Sequence, residues 1–337
     1  MRVTHITPEE FRPGRMGGGE RYVQQLVDAQ ARKGVDTVVI SLPTFRSGPR
    51  HQDRPMSWRR FRHEIGSSDV AHVHQFNMQT FDATCVAASM TGTPLVLTDH
   101  GGLRRTPGRL LGDWRLRHVD AVAAVSPYSL DRIDAAARVQ NRSVLWGGGD
   151  HLAEDPSLPD LVSSDFLFVG RILPHKGLHV LIEALPAGAS LRIAGETRDV
   201  QYKDFLTTLA AGKDVEFVGA PRDAELHSLY RSSRWTVLPS VDRFGSKTYP
   251  DPELLGLVML ESLAAGTPVI GSRIGGLGEL LAANGMPAFA PGSTSELSDV
   301  LTWALQNRGP EFDRADFSWA TVADRSLNVY ASVLGGD

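Results

Sequence analysis

Short apolar runs alternate with stretches of helical period along almost the whole of this 337-residue chain. "VTHI", "TVVIS", "VAHVH", "PLVLTD", "AVAAVS" and "SVLW" read as buried strands. Between several of them, apolar residues recur three and four apart, as at Tyr22, Val23, Leu26 and Val27. A strand that is apolar along its length has both faces covered, so strict strand–helix alternation predicts a parallel sheet between layers of helices. The same rhythm restarts at "DFLFVG" and continues through "SLRIAG", "VEFVGA", "WTVLPS" and "TPVIGS". Two such series predict an α/β fold of two Rossmann-like doubly wound domains facing across a cleft.

The length supports that division, because single cores stop growing near ~250–300 residues. The seam is expected in "GGGDHLAEDPSLPDLVSSD", residues 147–165, rich in Gly, Pro, Ser and Asp. This gives a first domain over 1–150 and a second over 151–318, followed by a tail, "FSWATVADRSLNVYASVL", of helical period. Open α/β sheets bind ligands beyond the carboxyl ends of their strands, so function is expected in the loops there.

A formal net charge of -4 argues against a general affinity for nucleic acid. Cys85 is the single cysteine, which leaves no internal disulfide and fits a cytoplasmic protein. "MRVTHITPEE" lacks the basic and apolar segments of a signal peptide, and no run approaches the ~20 apolar residues of a membrane span. Arg59, Arg60 and Arg62 read as a solvated arginine-rich loop, with peripheral contact to a membrane surface as the alternative.

Three glycines, Gly17, Gly18 and Gly19, stand just before a predicted helix. Without Cβ atoms they let backbone N–H groups approach an anion at the helix start. The dinucleotide pattern Gly-x-Gly-x-x-Gly is not met, and no Gly-Lys-Ser/Thr follows to make a P-loop. His100, in "VLTDHGGL", follows a strand end; general acid–base work, hydrogen bonding and a plain surface position all stay open. His72 and His74 share one face of a strand, but no third ligand at a metal-site spacing accompanies them.

"FLFVGRILPHKGLHVLIEAL" carries a sharper signal: Arg171 follows a strand and Lys176 opens a helix. A forked guanidinium and a compact ammonium at such a turn suit a diphosphate. In "PDPELLGLVMLESLAAGTPVI", Glu253 and Glu261 flank an apolar helix start. The first amides of that helix, at Leu257 and Val258, are expected to lack partners within it. Two carboxylates that accept hydrogen bonds from hydroxyls, on either side of an anion site, suit a nucleotide sugar.

With these stretches in order, the chain resembles the family 4 glycosyltransferases of GT-B fold. "GGGERYVQQLVDAQARKG", "DVAHVH", "TDHGG", "VSPYSLDRI", "ELHSLYRSSRWTVLPS" and "ELLGLVMLESLAAGTPVIGSRIGGLGEL" extend the likeness nearly end to end. The resemblance implies that Glu253 contacts the donor sugar and Glu261 the ribose. It implies that Arg171 and Lys176 hold the diphosphate, helped by the amides of Leu257 and Val258. Gly17, Gly18, Gly19 and His100 would approach from the first domain. Val218 and Gly219, with Arg222, would meet the nucleobase. The final helix, about 319–334, is expected to cross back to the first domain.

The implied reaction is retaining transfer from a nucleotide-diphosphate sugar, UDP- or GDP-linked, with no metal and no cofactor. The acceptor would be a small molecule or a lipid-linked sugar. A non-catalytic nucleotide-sugar-binding protein on the same fold is the alternative, and an epimerase fits less well. Two features depart from the family pattern: Leu255 replaces its usual Phe, and "VDRFGSKTYPDP" lengthens the link before Glu253. Asp242, Lys247 and Tyr249 in that link are candidates for shaping the sugar pocket, covering the cleft or contacting a partner subunit, and a solvated insertion is the other reading.

Overall fold

The computed structural model describes residues 1–8, 18–41, 56–75, 78–100, 116–132, 139–152, 154, 163–197, 199–250 and 253–335. Gly17, parts of the seam and residues 251–252 of the lengthened link lie outside them. Two compact units are present: Met1–Trp146 with Trp319–Asp337, and Gly147–Ser318. The last helix therefore belongs to the first unit, although the whole second unit intervenes in the chain.

In the first unit, β1 (Arg2–Thr7), β2 (Asp36–Ser41), β3 (Val70–His74), β4 (Leu95–Thr98), β5 (Ala121–Ala124) and β6 (Asn141–Val144) form one sheet. Its order is β2-β1-β3-β4-β5-β6 and every pairing is parallel. The described helices are α1 (Gly18–Arg32), α2 (Trp58–Gly66), α3 (Met78–Thr91), α4 (Pro127–Arg132) and the late α11 (Trp319–Leu334).

Side chains alternate across a strand, so each strand serves two layers. Ile6, Ala71, Val73, Leu95 and Leu97 pack with Phe61 and Ile65 of α2 and Phe81 and Cys85 of α3. The opposite face carries Val3, Val70 and Val96, packed with Val329 and Tyr330 of α11. On that face β1 and β3 pair His5 with His72, and β3 and β4 pair His74 with Thr98. Register alone thus gathers three histidines under α1 and α11. The arginines of "SWRRFRHEIG" fall on α2 rather than a loop: Ser57 caps its start, Phe61 and Ile65 are buried, and Arg59, Arg60 and Arg62 are exposed.

The second unit has β7 (Ser164–Val169), β8 (Ser190–Ala194), β9 (Asp214–Gly219), β10 (Ser233–Leu238), β13 (Val269–Ser272) and β14 (Ala288–Phe289) in the parallel order β14-β13-β10-β7-β8-β9. A small antiparallel hairpin pairs β11 (Arg243–Phe244) with β12 (Lys247–Thr248). Helices α5 (Leu178–Ala184), α6 (Val200–Leu209), α7 (Asp223–Arg231), α8 (Leu257–Ala265), α9 (Gly275–Ala283) and α10 (Thr294–Gln306) flank the sheet. The run "FLFV" of β7 splits by parity. Phe166 and Phe168 join the cluster with Leu181, Leu206 and Leu301, whereas Leu167 and Val169 pack with Leu226, Tyr230 and Ala265.

Candidate active site

Three chain segments of the second unit converge on Glu253. Beyond β7, Arg171 is exposed and a 3-10 turn, Pro174–Lys176, carries the next cation. Nζ of Lys176 lies 2.6 Å from Oε2 of Glu253. Ser240, just past the end of β10, donates from Oγ to the same oxygen at 3.3 Å. The backbone carbonyl of Glu253 accepts from the N–H of Gly276, at the start of α9, at 3.1 Å. Cation and carboxylate are both mostly buried, so their attraction is screened less than that of a surface pair.

α8 begins at Leu257 after Gly256, which is left-handed with φ 81°. The amides of Leu257 and Val258 belong to the first turn, where no carbonyl of the same helix reaches them. Glu261, on the second turn, is 5% exposed. Its Oε2 accepts from the Tyr230 hydroxyl at 2.9 Å, and its Oε1 lies 3.2 Å from Nε2 of His151. The two glutamates are thus held by separate partner sets: Glu253 by Lys176 and Ser240, Glu261 by Tyr230 and His151.

Sequence reasoning missed His151, because it stands in the stretch read as a linker. It also missed His175, although "PHKG" placed it beside Lys176. The His175 ring lies 5.1 Å from that of Tyr249, and its carbonyl accepts from the Val241 N–H. Partial burial pushes its pKa down to about 4, with the charge of Lys176 next; Arg171 and Lys247 act the same way and Glu253 opposes them. Three cations and one carboxylate therefore act on a single imidazole that is neutral at pH 7.

The lengthened link is anchored rather than solvated throughout. Phe244 lies 4.7 Å from the His179 ring and 5.5 Å from that of Tyr202, against the core. Lys247 places Nζ 5.0 Å from the Tyr249 ring centroid, and the Tyr249 N–H donates to the Asp242 carbonyl. Val218 and Gly219 end β9, the edge strand of the sheet, and both are exposed. The Arg222 guanidinium is engaged by Glu225 at 2.7 Å, one turn into α7.

In the first unit Gly18 and Gly19 form the first turn of α1, and a Cβ on Gly19 would lie 3.1 Å from that of His100. His100 follows β4, with its ring 4.7 Å from that of Tyr22 and Nε2 3.1 Å from Nδ1 of His74. Burial pushes its pKa down to about 4. Nitrogens of His5, His72 and His74 lie within 4.8 Å of one another, close enough to share an ion. All six ring nitrogens already face partners: Gln30, Thr98, Tyr330, His100 or each other. A metal there would displace several of these bonds.

Comparison with known proteins agrees with this architecture. The model described as "Glycosyltransferase Family 4" matches residues 16–149, and "Glycosyl transferases group 1" matches residues 157–318. A glycogen synthase of Mycobacterium tuberculosis is 34% identical over 195 residues, 52% of this chain. The chain spans only 44% of that relative's length. The phosphatidyl-myo-inositol mannosyltransferase of Mycobacterium leprae is 25% identical, over 99% of this chain and 97% of that one. In fold, HepE of Anabaena, solved in complex with UDP, superimposes with a TM-score of 0.71 at 18% identity, covering 98% of this chain and 100% of that one. With one glycosyltransferase model on each of its two units, the chain belongs to the family 4 glycosyltransferases of GT-B fold.

Proposed function

We propose that this protein moves a sugar from a nucleotide-diphosphate sugar to an acceptor hydroxyl, with retention at the anomeric carbon and without a metal. The observation that carries the reading is the Lys176–Glu253 pair at 2.6 Å, with Arg171 nearby in the chain and the first turn of α8 just beyond Glu253. Cations and unpaired amides suit the diphosphate; a carboxylate beside them suits a sugar hydroxyl. Arg171, Lys176 and the amides of Leu257 and Val258 would then stabilise the charge that grows on the leaving diphosphate, the part a divalent ion plays elsewhere.

In the reaction, the bond from the anomeric carbon to the diphosphate oxygen breaks, and its electron pair leaves with the diphosphate. The acceptor oxygen bonds to the same face of the sugar, and the departing phosphate takes its proton. Glu253 would orient the sugar and Glu261 the ribose, while Val218 and Gly219 border the base. Gly17, Gly18, Gly19 and His100 belong to the first unit, and acceptor binding is assigned to that unit as a whole. UDP is favoured as the nucleotide by HepE, which was also solved with UDP-glucose. A lipid-linked acceptor is favoured by the name of the full-length M. leprae relative. We assign the encounter with such an acceptor to the cytoplasmic surface of a membrane; among the described residues no helix is long and apolar enough to cross one.

The test is a thermal-shift series with UDP, GDP, ADP, dTDP and their sugar conjugates in excess EDTA, followed by NMR of any product's anomeric centre. A ligand bound only by the native state raises the melting temperature by mass action. Stabilisation by one nucleotide family, followed by a retained anomer, supports the proposal. Binding without turnover for any acceptor would favour a non-catalytic nucleotide-sugar binder. An inverted product or turnover abolished by EDTA would overturn the mechanism.

A further inference from the structure

A chain of hydrogen bonds runs through the buried polar layer of the first unit, and its proton positions can be deduced from one end. The Ser326 hydroxyl lies 2.7 Å from the Ala323 carbonyl, which can only accept, so Ser326 donates there. Toward Gln30 that oxygen must therefore accept, and the Gln30 amide nitrogen is the donor, at 2.8 Å. The same nitrogen donates to the Tyr330 hydroxyl at 3.0 Å. This fixes the amide orientation: Oε1 of Gln30 faces Nε2 of His5 at 2.8 Å, and Nε2 must carry the hydrogen.

A neutral imidazole has one N–H, so Nδ1 of His5 is a bare acceptor. It lies 3.0 Å from Nε2 of His74, which therefore carries that ring's hydrogen. Nδ1 of His74 is bare in turn, and it lies 3.1 Å from Nε2 of His100, which must donate. The Gln30 amide thus sets three imidazoles in a row. His72 sits beside the row, its ring 4.1 Å from that of His74, and is held by Tyr330 at 2.7 Å and Thr98 at 2.8 Å.

We propose that Gln30, His5 and His74 are positioning residues that lock His100 in its Nε2–H tautomer, leaving Nδ1 of His100 as a bare hydrogen-bond acceptor rather than a proton-transfer group. The lock itself rests on the hydrogen bonds; its effect on turnover rests on the transferase reading. The surroundings keep the row uncharged. Burial lowers the proton affinity of all four histidines, and the Tyr22 and Tyr330 hydroxyls beside them are held well above their usual pKa. A cation on one ring would also repel its neighbours and reverse at least one bond of the row.

Long-range 1H–15N spectra of the full-length protein with 15N-labelled histidine read the tautomers directly. The expected result is Nε2–H for His5, His74 and His100 from pH 8 to pH 5.5; Nδ1–H at any of them, or a charged His100 at pH 6.5, overturns the relay. Stoichiometric zinc in the purified protein, lost in His5→Gln, overturns it as well. Kinetics test the role. His74→Phe removes the acceptor for His100 and should lower kcat about tenfold, the worth of one oriented hydrogen bond, while KM for the nucleotide sugar stays within about twofold. His74→Gln offers an amide oxygen to His100 and an N–H to His5, and should restore most of kcat. Unchanged kcat in His74→Phe sinks the positioning role. A protein that transfers no sugar from any donor defeats the transferase reading instead, and the spectra still decide the relay.

Discussion

Lys176 and Glu253 form an ion pair at 2.6 Å, so two residues assigned to different parts of the donor are bonded to each other. The pair fixes the sugar-side carboxylate next to the diphosphate-side cation. Glu253→Gln keeps the shape but loses the charge-assisted acceptor, worth about 1.5–3 kcal/mol. Nucleotide-sugar turnover should fall about tenfold to a hundredfold, whereas the free nucleoside diphosphate should bind within about twofold of wild type. Calorimetry with both ligands checks this. Equal losses for the two would place Glu253 at the nucleotide instead.

Lys176→Met should behave differently, because it strips charge from the diphosphate side and leaves Glu253 without its cation. Free nucleoside diphosphate and nucleotide sugar should both bind about tenfold more weakly. Thermal stability should also fall, since a mostly buried carboxylate loses its counter-charge. Titration of both ligands, with the melting temperature measured alongside, separates this pattern from that of Glu253→Gln. Selective loss of the sugar conjugate would contradict the assignment.

Much of this was readable in advance, and the exceptions share a cause. Among the described residues the two parallel sheets hold twelve strands, and one of them, β14, is two residues long and therefore too short to stand out as an apolar run. The start of α8 at Leu257 was legible because an apolar run follows a glycine. The partners of Glu261 were not: His151 and Tyr230 lie 110 and 31 positions away in the chain, and only the tertiary fold joins them. The histidine row has the same origin. "HVH" was visible as a pair on one strand face, but His5 and Gln30 join it through strand register and the placement of α1. Phe244, inside a polar-looking link, gave no periodic signal because a two-residue strand has no period.

The carboxylate of Glu261 is buried, and Tyr230 supplies a hydrogen bond that a phenylalanine of the same shape cannot. Tyr230→Phe should lower the stability of the second unit by about 1–3 kcal/mol. Nothing else about the packing of the ring against Leu167 and Ala265 needs to change. Urea unfolding with an unaltered slope and a lower midpoint is the expected outcome. An unchanged midpoint would mean that the carboxylate draws its support from its other partners alone.

Gly177 makes the turn that carries Lys176. It is left-handed at φ 71°, caps the 3-10 turn by donating to the Pro174 carbonyl, and starts α5. A Cβ there would be driven into the carbonyl oxygen of Pro239, at the end of β10. Gly177→Ala therefore faces both backbone strain and a clash with a main-chain atom that cannot rotate away. Destabilisation by about 1–3 kcal/mol is expected, together with a loss of nucleotide affinity as Lys176 shifts. Gly188→Ala is the comparison: its φ is also positive, 78°, but open space surrounds the added Cβ. It should cost less and leave binding intact, as thermal melts with and without nucleotide would show.

The histidine layer makes the first unit sensitive to acid, and the sign follows from proton counting. His5 and His100 have pKa values lowered from 6.5 to about 4 by burial, and burial also holds His72 and His74 well below 6.5. Between pH 6.5 and pH 4 the unfolded chain binds protons that the folded unit does not, so stability rises with pH across that window. It is fully present above pH 6.5 and is lost as pH falls toward 4. Each histidine that takes up a proton on unfolding adds about 1.4 kcal/mol per pH unit to the slope. Hydrogen exchange of the β3 and β4 amides, followed at pH 7.5, 6 and 5 with correction for intrinsic rates, isolates this unit from His175 in the other. Protection should fall steeply below pH 6.5. Constant protection down to pH 5 would mean that the imidazoles are already charged in the folded unit, and the neutral row would have to be abandoned.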